Sequence, residues 1–122
     1  MLAVGGHVLG DLDPLIVRMA NGFAGGVGGT KQEMCGALSA GVMIIGALYG
    51  RNNLEEDDSP ARRLTTCYRE CFAAELGATR CGPLYEQVHA PGGFGSCSVV
   101  VERAARILLE LLTEQGSEGW RN

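Results

Sequence analysis

At 122 residues the chain is long enough for one domain with a hydrophobic core and too short for two. A net charge of −4 with no stripe of Lys or Arg excludes the electrostatic footprint of nucleic-acid binding. Five cysteines in so small a chain bring metal binding or redox chemistry forward, and an odd number cannot close into intramolecular disulfides alone.

Met1 to Gly10 is apolar and begins without a cap, so it reads as the back half of a truncated first helix. It lacks the basic, apolar and small-residue order of a secretory signal, which makes the cytoplasm the expected compartment. Asp13 followed by Pro14 opens a helix, with aspartate as N-cap and proline at the first helical position. Leu15, Ile16, Met19 and Phe23 then recur at helical spacing, and Gly22 stops the helix after about Asn21.

The run from Phe23 to Thr30 carries Gly25, Gly26, Gly28 and Gly29. Such glycines let backbone amides converge on an anion, so these four are the candidate ligand- or cofactor-binding positions. The run is not a P-loop, because Thr30 precedes Lys31 instead of following it and a helix, not a strand, comes before. Its main consequence is a tight backbone path that delivers Cys35 into the core.

From Met34 to Gly50 no residue is charged, while Gly36, Ser39, Gly41 and Gly46 keep the segment thin. The run falls short of the ~20 residues that cross a membrane, so a buried central helix over about 33–49 is expected. Met34, Leu38, Val42, Ile45 and Tyr49 form its apolar stripe, and Ala37 and Gly41 a small-residue stripe suited to close helix approach or to a homodimer. Each glycine inside a helix costs roughly 1 kcal/mol against alanine, so several together call for a packing or functional reason. Cys35 falls in the first turns, where unpaired amides and the helix dipole favour a thiolate.

Arg51 to Ser59 is an acidic, solvated loop, after which Ser59 and Pro60 open a second long helix through Leu76. Leu64, Tyr68, Cys71, Phe72 and Leu76 lie on or near one face of it. Cys67 and Cys71 stand one turn apart, a spacing that suits chelation or a packed face equally. Gly77 closes this helix, and Cys81 follows just before Gly82 and Pro83 break the chain ahead of a short helical turn, Leu84 to His89. After the glycines of Gly92–Gly95, Cys97 precedes a final helix from Ser98 with Val101, Ala104, Ala105, Leu108, Leu111 and Leu112 inward. Cys97 thus repeats the placement of Cys35, which points to one shared site. From Gly116 a mobile tail is expected. No alternating run reads as a strand, and the fold expected is all-α: a single domain over 1–122, a bundle of four or five helices around the central one.

The run Phe23-Ala24-Gly25-Gly26, then Cys35-Gly36-Ala37-Leu38-Ser39-Ala40-Gly41 and Leu48-Tyr49-Gly50, then Phe72 through Gly77 to Cys81, then Cys97, resembles the C_GCAxxG_C_C family of putative redox-active proteins. The similarity extends from about Asp11 to Leu112. It implies redox-active roles for Cys35, Cys81 and Cys97, the positions that match the family cysteines. A related domain in split-Soret cytochromes implies an iron–sulfur or electron-transfer site as one form of that chemistry, whereas covalent haem lacks its Cys-x-x-Cys-His. The family's first cysteine, in an Asn-Cys-Ala-like context of an N-terminal helix, has no counterpart before Cys35; Cys71 is the candidate substitute as a fourth thiol.

Two functional readings follow. In the first, Cys35, Cys81 and Cys97 exchange disulfides with a redox partner protein; alternatively, with Cys71, they ligate zinc or an iron–sulfur cluster. In the second, the chain is a non-catalytic helical module, dimeric and binding an apolar or anionic ligand beside the glycine loop. No hydrolase motif appears, although a pairing of His89 with Cys35 or Cys97 stays open because such pairs form in space.

Overall fold

The computed structural model describes residues 2–118 and the side chains of 4–114. Among them the chain forms six helices: α1 Leu2–Leu9, α2 Pro14–Asn21, α3 Gly36–Tyr49, α4 Ser59–Leu76, α5 Cys81–His89 and α6 Cys97–Glu118. No strand is present among the described residues, and the fold is all-α as the sequence indicated. The helices number one or two more than expected because the short apolar start and the Cys81–His89 segment each form a helix of their own.

The local signals act where they were placed. Asp13 caps α2 by accepting the Leu15 N–H at 2.8 Å, and Pro14 occupies the first helical position, where no amide donor is needed. Gly77 ends α4 in the left-handed region at φ 88° and donates its N–H to the Ala73 carbonyl.

Two boundaries differ from expectation. α3 starts at Gly36, not near residue 33, because Met34 is held in an antiparallel bridge with Arg80 and the Glu33 N–H and carbonyl bond to Gly26 and Cys81 instead of within a helix. Met34 therefore leaves the apolar stripe and is exposed. α5 begins at Cys81, with Gly82 and Pro83 inside its first turn instead of breaking the chain. First-turn amides have no intrahelical acceptor, so a proline there removes nothing the helix uses. The last helix runs through Gly116 to Glu118; the rest of the tail expected to be mobile, residues 119–122, lies outside the described residues.

The core sits where α3, α4 and α6 pack against one another. Leu38, Ile44 and Ile45 from α3 meet Leu64, Tyr68, Phe72 and Leu76 from α4 and Val100, Ala104 and Leu108 from α6, all essentially buried. The Tyr68 and Phe72 rings meet edge to face, centroids 6.3 Å apart. The thin face of α3 has a use inside the chain: a Cβ on Gly41 would collide with the Tyr68 ring. Val4 of α1 and Leu84 and Val88 of α5 complete the core, whereas α2 buries none of its residues. No helix among the described residues is long and apolar enough to cross a membrane.

Candidate functional site

Three helices start at a cysteine. Cys35 is the N-cap of α3, Cys81 the first residue of α5 and Cys97 the first residue of α6. Backbone pairing joins the first two: the Cys35 N–H donates to the Thr79 carbonyl and the Cys81 N–H to the Glu33 carbonyl, both at 2.8 Å, on either side of the Met34–Arg80 bridge. Arg80 reinforces the join by donating from Nε and Nη2 to the Gln32 carbonyl at 3.4 and 3.2 Å.

The glycine-rich loop holds this junction from the other side. Gly25 to Gly29, Val27 included, form a continuous left-handed turn with φ between 62° and 75°. An L-residue costs roughly 1–2 kcal/mol at each such position, so glycine is favoured at all of them and Val27 carries that strain. The turn is closed by its own backbone: Gly28 N–H donates to the Gly22 carbonyl, Gly29 N–H to Ala24, Lys31 N–H to Gly25 and Glu33 N–H to Gly26. A Cβ on Gly26 would lie 2.5 Å from the Cys81 Cβ, so glycine there also admits the cysteine. Amides that an anion would need at Gly28 and Gly29 are thus already paired within the chain. The loop acts as a mould for the Cys81 backbone.

All three cysteines open onto one cavity of about 670 Å³, whose walls are otherwise mostly apolar, Val17 and Ala20 of α2, Ala37 and Ala40 of α3, Leu84 of α5 and Val100 and Val101 of α6 among them. Val101, expected inward, is half exposed at this wall. Of the four candidate glycines only Gly25 lines the space. Cys35 and Cys81 are half-buried and Cys97 is exposed. Burial pushes the Cys35 thiol up; the amides of Ala37 and Leu38 favour its thiolate, and nearby Cys81 and Cys97 oppose it. The helix-start placement therefore does not make Cys35 an acidic thiol, because loss of solvent outweighs the amides. The neutral thiol forms no capping hydrogen bond.

Cys71 stands elsewhere. It is exposed on α4, and its thiol is pushed up by desolvation, by Cys67 one turn before it, and by Glu70, Glu114 and Glu75. His89 is also away from the cavity walls, its Nδ1 3.0 Å from the Tyr85 carbonyl oxygen, and so does not form the Cys–His pair left open by the sequence.

The zinc or iron–sulfur site suggested by the thiol count would take Cys71 as its fourth ligand, and Cys71 is not on the cavity wall. Among the described residues no three His, Cys, Asp or Glu side chains are placed to share a metal ion. The cavity thiols line the walls of a common space without forming a shell.

Three neighbours of the cysteines carried no functional signal in the sequence, although Tyr68 stood out as a packing residue. Burial, and to a lesser degree nearby Cys35, pushes the Tyr68 phenol up, and its hydroxyl donates to the Ala37 carbonyl at 3.4 Å. Lys31 and Tyr85 share the cavity wall, the ammonium 4.6 Å from the ring centroid. Nothing about an isolated lysine after a glycine loop distinguishes it from a surface charge; its place follows from the left-handed turn.

Comparison with curated proteins and with solved structures found no match. The family model described as "putative redox-active protein (C_GCAxxG_C_C)" matches residues 1–111, nearly the whole chain and all three cavity cysteines, and the protein belongs to that family.

Proposed function

We propose that the protein exchanges disulfides through Cys35, Cys81 and Cys97. The observation that carries this reading is the convergence of these three thiols, one from each of three helix starts, on a single cavity that excludes Cys67 and Cys71. Cys97, the exposed member, meets the incoming disulfide. Its thiolate attacks one sulfur of a disulfide-bearing partner, forming a mixed disulfide and releasing the partner's other half as a thiol. A second cavity thiol, Cys35, then attacks the Cys97 sulfur, closing a protein disulfide and releasing the remaining half. Two protein thiols are oxidised and one partner disulfide is reduced to two thiols.

The division of labour follows from thiol chemistry. A thiol with a raised pKa is a stronger nucleophile once ionised but is ionised less often. Cys35 has that character, and the amides of Ala37 and Leu38 favour its thiolate when the proton leaves. It suits an intramolecular step, where effective concentration offsets the small ionised fraction. Cys81 is the third member, able to take over either role.

The test is a peptide map of the reduced protein after incubation with an excess of a small disulfide. A disulfide within the set Cys35, Cys81 and Cys97 is expected, with Cys97→Ser losing the fast phase of its formation. Five thiols still free, or linkage confined to Cys67 and Cys71, would overturn the reading.

A further inference from the structure

The cavity holds more than thiols. Its volume falls in the range of small-molecule sites, roughly 300–1,000 Å³, and Lys31 is the single charged residue on its walls among those described. No carboxylate lines it. Lys31 forms no ion pair among the described residues; its ammonium rests over the Tyr85 ring. The positive ends of α3, α5 and α6 start at the same space, so the field inside favours an anion. The walls between Lys31 and the thiols are apolar.

We infer that the cavity takes a low-molecular-weight disulfide with an apolar body and a carboxylate, the carboxylate paired with Lys31 and the sulfurs presented to the cysteines. This names a substrate class for the exchange proposed above and rests on that reading for the chemistry, but not for the binding preference. The atoms balance as before: a cysteine thiolate displaces one thiolate of the substrate, and a second cysteine displaces the other.

Two aromatic disulfides separate the charge from the chemistry: 5,5′-dithiobis(2-nitrobenzoate), which carries carboxylates, and 2,2′-dithiodipyridine, which is neutral. Each is mixed with the reduced full-length protein, quenched at intervals, and the modified cysteines are mapped by mass, giving a rate for each site. The ratio of anionic to neutral rates at Cys35, Cys81 and Cys97 is expected to fall about tenfold in Lys31→Met, the effect of one lost charge-assisted contact, and to return in Lys31→Arg. Cys71, ringed by Glu70, Glu75 and Glu114, serves as the internal control and keeps its ratio in all three proteins. An unchanged ratio at the cavity cysteines, or an equal change at Cys71, would overturn the inference. The same maps report whether a disulfide closes within the cavity set, so failure of the exchange reading and failure of the carboxylate preference are separate results.

Discussion

Two residues of one loop show how far a glycine's role depends on its surroundings. Gly26 and Gly28 have similar left-handed backbone, φ 69° and 64°, but a Cβ at 26 would strike the Cys81 Cβ and the Lys31 Cα, whereas at 28 it would meet nothing within 4 Å. Gly28→Ala is expected to cost about 1–2 kcal/mol, the strain of the left-handed conformation alone. Gly26→Ala adds overpacking worth about 1–3 kcal/mol and displaces Cys81 as well. Urea unfolding of the two variants checks this; equal losses would show that the loop yields where it meets Cys81. Cys35 makes a second prediction. Burial raises its pKa above the ordinary 9.0, so the folded state holds the proton that the unfolded state releases. Its contribution to stability is fully present below pH 9.0 and is lost as pH rises from there toward the folded value. Wild-type protein is therefore expected to lose stability above that pH more steeply than Cys35→Ala, a comparison made by urea titration across the alkaline range. Parallel curves would show that the thiol titrates as it does in an unfolded chain.

Within α3, position decides the sign of a substitution. Both Gly41 and Gly46 are helix-interior glycines, each a local cost of roughly 1 kcal/mol against alanine. At Gly41 a Cβ would collide with the hydroxyl-bearing edge of the Tyr68 ring; at Gly46 it would enter open space. Gly46→Ala is expected to stabilise by up to about 1 kcal/mol, and Gly41→Ala to destabilise by about 1–3 kcal/mol through overpacking. Thermal melts of both variants decide the matter, and a stabilised Gly41→Ala would mean that Tyr68 swings aside freely. The sequence made the glycine content of this helix conspicuous but could not sort its members, since their difference lies in a ring contributed by α4, 27 positions away from Gly41. Helix starts divide in the same way. Asp13–Pro14 announces itself by local capping chemistry and Ser59–Pro60 by the proline of its first turn, although Ser59 is the first helical residue and no side chain caps that end, while Cys35 and Cys97 are announced by the glycines before them. Cys81 carries the opposite local signal, Gly82 and Pro83, and begins a helix because the Glu33 carbonyl takes its amide across the chain.

At the scale of the molecule, stability and access separate into different parts of the chain. The buried residues of α3, α4 and α6 form one continuous core, while α2 contributes none and leaves Leu15 and Met19 exposed. The three-thiol convergence follows from this core: packing α3 against α6 brings Cys35 toward Cys97, and only the long-range Met34–Arg80 bridge adds Cys81. That bridge is a single contact between distant segments, and no periodicity within either one announces it. The cavity wall, by contrast, includes Val17 and Ala20 of α2 and Ala24 in the turn after it, so the helix with no buried residue covers the thiols. Local opening costs least where few apolar contacts are broken. Amides of α2 are therefore expected to exchange with solvent deuterium well before those of α3, α4 and α6, read by peptide-level mass spectrometry. A ligand seated in the cavity adds contacts to the Val17 and Ala20 face, and it should slow α2 exchange while leaving the slow core amides unchanged. If α2 exchanges as slowly as α4 in the free protein, it is anchored by interactions beyond its apolar burial, and access to Cys35 and Cys81 does not pass through its opening.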